Sequence, residues 1–85
     1  MKLAVCDDNL QELTIIKAFL TEYHTPYGEP ILFDSFQTAT ELLTALNTKK
    51  YNALLLDIIM PGITGMEVAR EIRNNGNQSP IIFLT

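Results

Sequence analysis

Eighty-five residues allow one domain at most, and a hydrophobic content of 47% is that of a globular chain, too rich for a disordered one. The formal net charge of -4 argues against a bulk nucleic-acid surface and leaves no polybasic patch for a membrane. No apolar run approaches the roughly 18 residues that span a bilayer, the run after Met1-Lys2 is too short for a signal peptide, and the single Cys6 excludes an internal disulfide, so a cytoplasmic, reducing location is expected.

Lys2 to Cys6 reads as a short buried strand. Asn9 with Glu12 three residues on predicts a capping box, and Leu13, Ile16, Leu20 and Tyr23 follow at helical spacing, giving a helix from about residue 9 to 23. His24 to Pro30 is turn-like. His24 has no Cys or His partner at zinc spacing and reads as a surface residue. Ile31 to Phe33 is a second strand, and Pro30 at its start suits an edge, because proline cannot donate to a ladder. Thr38 and Glu41 predict a second capping box, ahead of Ala39, Leu42, Leu43 and Leu46 on one helical face. Ala53 to Leu56 is a third strand. Thr64 and Glu67 predict a third box, and Met66, Ala69 and Ile72 stripe a helix that stops near Asn75-Gly76. Pro80 to Thr85 is a fourth strand, and it closes the chain on an apolar run without a polar tail, as if cut in mid-fold.

Strands alternating with helices imply parallel pairing through right-handed crossovers, and near-continuous apolar strands imply burial on both faces. The fold class is therefore α/β, a doubly wound parallel sheet or most of one. Ligands of such sheets bind outside the carboxyl ends of the strands. The first strand is followed there by Asp7-Asp8, the third by Asp57 and the fourth by Thr85. If those strands are neighbours, three carboxylates and a hydroxyl converge. Clustered carboxylates repel, so one protonates or a cation joins them. A few hard oxygen ligands with room for water suit Mg²⁺. A carboxylate facing that ion is a setting for phosphoryl transfer, with the carboxylate as nucleophile.

The segments VCDDN (Val5 to Asn9), LLLDIIMPGITG (Leu54 to Gly65) and IIFLT (Ile81 to Thr85) together resemble the receiver domain of bacterial two-component response regulators. The resemblance runs over the whole chain. It implies a flavodoxin-like strand order 2-1-3-4-5. It makes Asp57 the phosphoryl acceptor from a sensor histidine kinase, Asp8 the direct Mg²⁺ ligand, Asp7 its water-mediated partner and Ile59 the donor of a backbone carbonyl to the metal. Thr85 matches the hydroxyl that bonds the phosphoryl group. The CDDN opening looks closest to receivers attached to LytTR-type DNA-binding domains. The family pattern continues with a fifth strand bearing a lysine and an aromatic switch residue, and with two more helices, none of which this sequence contains. Lys2, Lys17, Lys49 and Lys50 do not occupy the place of that lysine. Phosphorylation is thus expected to switch a DNA-binding output domain outside the chain, with no direct contact of this chain to nucleic acid or membrane and no turnover of an external substrate.

Other readings stand beside these. A fragment with an open fourth strand would act through self-association, as a homodimer or larger assembly. An aspartate-nucleophile phosphatase of the haloacid-dehalogenase type also uses Asp and Mg²⁺, but has a second Asp where this chain has Ile59. Asp7-Asp8 alone would be a turn and helix cap; Thr85 alone, a β-branched strand residue. Cys6 reads as a small buried hydrophobe, Met60 and Met66 as packing residues, and Gly62 and Gly65 as parts of the turn into the third helix. Glu67, Arg70, Glu71 and Arg73 read as a solvated face with local ion pairs.

Overall fold

The computed structural model describes residues 1–23 and 26–84. In chain order its elements are β1 (Lys2–Cys6), α1 (Leu10–Glu22), β2 (Leu32–Phe36), α2 (Ala39–Leu46), β3 (Ala53–Asp57), β4 (Ile59–Met60), β5 (Ile63–Thr64), α3 (Gly65–Asn74) and β6 (Ile81–Leu84). The main sheet is parallel with the order β2-β1-β3-β6, while β4 and β5 form a small antiparallel hairpin. The strand carrying Pro30 at its entrance is an edge strand, as proline requires.

Strand side chains alternate between two cores. Ala4, Cys6, Leu54 and Leu56 pack with Ala39 and Leu42 of α2 and with Val68 and Ile72 of α3. Leu3 and Val5 turn the other way, against Leu13 and Leu20 of α1. Two helices thus cover one face and α1 the other. On the α1 face Leu55 and Leu84 are half-buried. No helix among the described residues is long and apolar enough to cross a membrane.

Each helix begins on a side-chain cap. Asn9 accepts from the Glu12 N–H at 3.0 Å and Thr38 from the Glu41 N–H at 3.1 Å. Only α3 has the complete reciprocal box, with Thr64 and Glu67 bonding each other's backbone. The two other expected boxes are half made. The Asn9 N–H donates to Asp7 instead of Glu12, and Glu41 accepts from Gln37 instead of Thr38.

Several details depart from the sequence expectations. Strand β2 runs on through Asp34 and Ser35 to Phe36, past residues that favour turns. Asp34 is accommodated because the Tyr51 hydroxyl donates to it at 2.6 Å and the ammonium groups of Lys2 and Lys49 lie 3.5 and 3.6 Å away. The buried stripe of α3 is Gly65, Val68 and Ile72; Met66 is exposed, whereas Met60 is buried as expected. Arg73 makes no helical ion pair and instead donates to the carbonyls of Asn77 and Ser79, tying the end of α3 to the approach to β6. Tyr23 is half-exposed and stacks on Phe19 with ring centroids 4.5 Å apart. His24 and Thr85 lie outside the described residues.

Candidate functional site

The register of the sheet builds the site. Cys6 pairs with Leu56, so the next residues, Asp7 and Asp57, leave the carboxyl edge side by side. Both continue the odd-numbered series Leu3, Val5 and Ala53, Leu55, and therefore face the α1 side. Helix α1 starts at that same edge, and its first turn brings in Glu12. Carboxylate oxygens of Asp7, Glu12 and Asp57 all lie within 4.8 Å of one another. Asp7 is 1% exposed, Asp57 is half-buried, and Glu12 and Asp8 are exposed. An open cleft of about 420 Å³ borders the group, lined by Asp7, Glu12, Ile15, Ile16, Phe83 and Leu84.

Backbone contacts fix both aspartates. The Asp7 N–H donates to the Phe36 carbonyl at 3.1 Å, and its carboxylate accepts from the Asn9 N–H at 2.9 Å. Asp57 accepts from the Ile59 N–H at 3.3 Å. The β4–β5 hairpin folds back so that the Gly65 N–H reaches the Ile58 carbonyl at 2.7 Å. At Gly65 the chain passes so close to the Asp57 carbonyl that no Cβ would fit.

Burial pushes both carboxyls above the ordinary aspartate range, and neighbouring carboxylates push them further: Glu12 for Asp7, and Asp7 and Asp8 for Asp57. The Asn9 N–H and a hydrogen bond with Asp57 pull Asp7 the other way, and the Ile59 N–H does so for Asp57, without cancelling this. The ion pairs found among the described residues, Lys2–Asp34 and Lys49–Asp34, involve none of these groups. The cluster is thus a set of hard oxygen donors whose mutual repulsion a divalent cation would relieve. Cys6 beside it is fully buried, and burial with the charge of Asp7 raises its thiol to about 12, so it stays protonated as a packing residue.

Residues 3–85 match the response regulator receiver domain family. The chain belongs to that family. Over all 85 residues it is 34% identical to the transcriptional regulatory protein DltR of Streptococcus agalactiae serotype III (strain NEM316), covering 35% of that protein. It thus spans about a third of the length of this curated relative. Among solved structures, it superposes on the receiver domain of Francisella response regulator 1452 with a TM-score of 0.84 at 24% identity, covering 96% of this chain and 63% of that one. Response regulator protein TrrA of Thermotoga maritima, in complex with Mg²⁺-BeF, gives 0.83 at 34% identity, covering 99% and 68%. The receiver fold is a signalling module of two-component systems, and the relatives are transcriptional regulators. The family matched is the receiver family and not that of haloacid-dehalogenase phosphatases.

In this receiver Asp7 and Asp57 come together as their strand-end positions imply. Asp8 is exposed and interacts with Asp57 but does not belong to the three-oxygen group. Ile59 has its side chain 80% exposed, and its backbone N–H holds Asp57. Glu12 was expected only as a capping residue. Its signal in the sequence was its place in the first turn of a helix that must start at the strands' carboxyl edge.

Proposed function

We propose that this receiver is a phospho-acceptor, in which Asp57 takes a phosphoryl group from a sensor histidine kinase in a Mg²⁺-dependent step and so controls a transcriptional output domain of the full-length protein. The observation that supports this reading most is the approach of the Asp57 and Asp7 carboxylates at the carboxyl edge of adjacent parallel strands. The Mg²⁺-BeF complex of TrrA and the naming of DltR as a transcriptional regulatory protein support the metal and the output.

The Ile59 N–H orients Asp57 through one oxygen, and the other attacks phosphorus. With a phosphohistidine donor the P–N bond breaks and its electron pair stays with the imidazole, which takes up a proton. With acetyl phosphate the P–O bond breaks and acetate leaves. Either route forms a P–O bond to Asp57, an acyl phosphate. Asp8, Asp57 and the Ile59 carbonyl, with Asp7 by way of water, would hold Mg²⁺, which would supply positive charge to offset the phosphoryl oxygens. Thr85 is assigned the hydroxyl that donates to the phosphoryl group. The chain turns over no external substrate in this scheme.

The test is intact-mass spectrometry after incubation with acetyl phosphate, with and without Mg²⁺, beside Asp57→Asn. One Mg²⁺-dependent phosphoryl group is expected on the wild type and none on the variant. Equal uptake by the variant would move the acceptor elsewhere.

A further inference from the structure

We propose that Glu12 is a direct carboxylate ligand in the divalent-cation pocket of this receiver, a carboxylate from α1 added to Asp8, Asp57 and the water-linked Asp7. The proposal rests on reading the aspartate cluster as a cation site, and adds a residue that this reading does not include.

The ordinary role of a glutamate at this helical position is to close a capping box. Glu67 does so at the start of α3, where it accepts from the backbone N–H of its cap, Thr64. At α1 that slot is filled from outside the helix. The Asn9 N–H donates to Asp7 at 2.9 Å, while Asn9 still accepts from the Glu12 N–H. The Glu12 carboxylate is left to turn toward Asp7 and Asp57, and its oxygen lies within 4.8 Å of theirs. Three carboxylates converge there, and no ion pair found among the described residues reaches them, an arrangement that helix capping does not call for.

Scale and space both suit a ligand. Oxygens on an octahedral Mg²⁺ are about 3 Å apart when adjacent and about 4 Å when opposite. The cluster's oxygens, all within 4.8 Å of one another, are on that scale. Glu12 is exposed on a flexible side chain and can adjust to an ion, whereas Asp7 is locked by burial and backbone bonds. The adjoining cleft leaves room for the waters that Mg²⁺ retains. Glu12 in this role sets cation affinity before any phosphoryl group arrives.

Mn²⁺ binding to the full chain, read by electron paramagnetic resonance of the free ion and by competition with Mg²⁺, tests the assignment without any phosphorylation step. Glu12→Gln keeps the shape and removes the charge. Glu12→Asp keeps the charge and shortens the reach by one methylene. Both are expected to weaken Mn²⁺ by about tenfold or more, and Asp7→Asn to weaken it too, with helical circular dichroism unchanged in both Glu12 variants. Wild-type affinity in either Glu12 variant would overturn the ligand role. If Asp7→Asn were still impaired in that case, the cation site would survive without Glu12. If the wild type bound no Mn²⁺, the cation-site reading would fall, and this proposal with it.

Discussion

Asp34 and Asp57 both sit in parallel strands, yet their surroundings act on them in opposite directions. The Tyr51 hydroxyl, aided by Lys2 and Lys49, holds the Asp34 carboxyl below its ordinary range. The lysine pairs are half-exposed and each is worth little; the short bond from buried Tyr51 is the stronger contact. Tyr51→Phe should therefore cost about 1–2 kcal/mol at neutral pH. Asp34 has a depressed folded-state pKa, so its contribution is present above the unfolded value and lost as pH falls through the folded one. The gap between wild type and Tyr51→Phe should narrow below about pH 4, the unfolded aspartate range. Urea midpoints at neutral and acid pH would show this, and a gap independent of pH would contradict it. Asp57→Asn should do the reverse. With divalent cations chelated, removing one of the clustered charges should stabilise the fold by about 1 kcal/mol, the size of an ordinary mutational effect. A destabilised Asp57→Asn in chelator would mean that the cluster is not repulsive. Asp7 and Asp57 were legible in the sequence because an acidic residue ending an apolar strand has few innocuous explanations. Glu12 was not, because a capping box is the common explanation for a glutamate three residues after Asn9. Only coordinates reveal that Asp7 has taken its partner.

The hairpin β4–β5 leads from Asp57 into α3, and Gly62 at its turn and Gly65 at the start of α3 have different work. Gly62 has φ +81° and open space around it, so a side chain there meets only the left-handed backbone cost of about 1–2 kcal/mol. Gly65 has no such dihedral, but a Cβ would run into the Asp57 carbonyl and the Ile58 backbone. Gly65→Ala should thus cost more, about 2–3 kcal/mol as for an overpacked core site, and should slow phosphoryl uptake by displacing the Ile59 N–H from Asp57. Gly62→Ala should leave uptake close to wild type once folded. Equal stability and equal uptake rates for the two variants would refute this division. The hairpin itself escaped the sequence reading, because two-residue strands around Pro61-Gly62 carry no periodic signal. The four main strands and three helices were legible from near-continuous apolar runs, helical spacing and Gly, Pro and Asn punctuation. The misses have local causes. In β2, Asp34 and Ser35 look like turn residues until Tyr51 and two lysines, distant in sequence, supply partners. In α3 the small Gly65 belongs to the buried face, and no hydrophobicity pattern assigns a glycine to a core stripe.

Across the whole molecule, pH and divalent cations should act on stability through the same carboxylates. Asp7 and Asp57 have raised folded-state pKa values, so the folded chain binds protons more readily than the unfolded one. Stability without a cation therefore rises as pH falls from 7 through those folded values, and the gain is complete only below the unfolded value of about 3.9. Asp34 opposes this at the acid end, since its contribution is lost as pH falls through its depressed value. The optimum without a divalent cation should accordingly lie on the acid side of neutrality. A cation bound to the ionised carboxylates of the folded state would compete with protons for them. At ten times its dissociation constant it should add about 1.4 kcal/mol at neutral pH, less as the carboxyls protonate, so Mg²⁺ should move the optimum upward toward neutrality. Urea midpoints between pH 5 and 8, in chelator and in Mg²⁺, would trace both curves. If stability in chelator climbed steadily from pH 5 to 8, carboxylate repulsion would not govern the fold's pH response. If the two curves coincided at pH 7, the cluster would not be a cation site at the concentrations used.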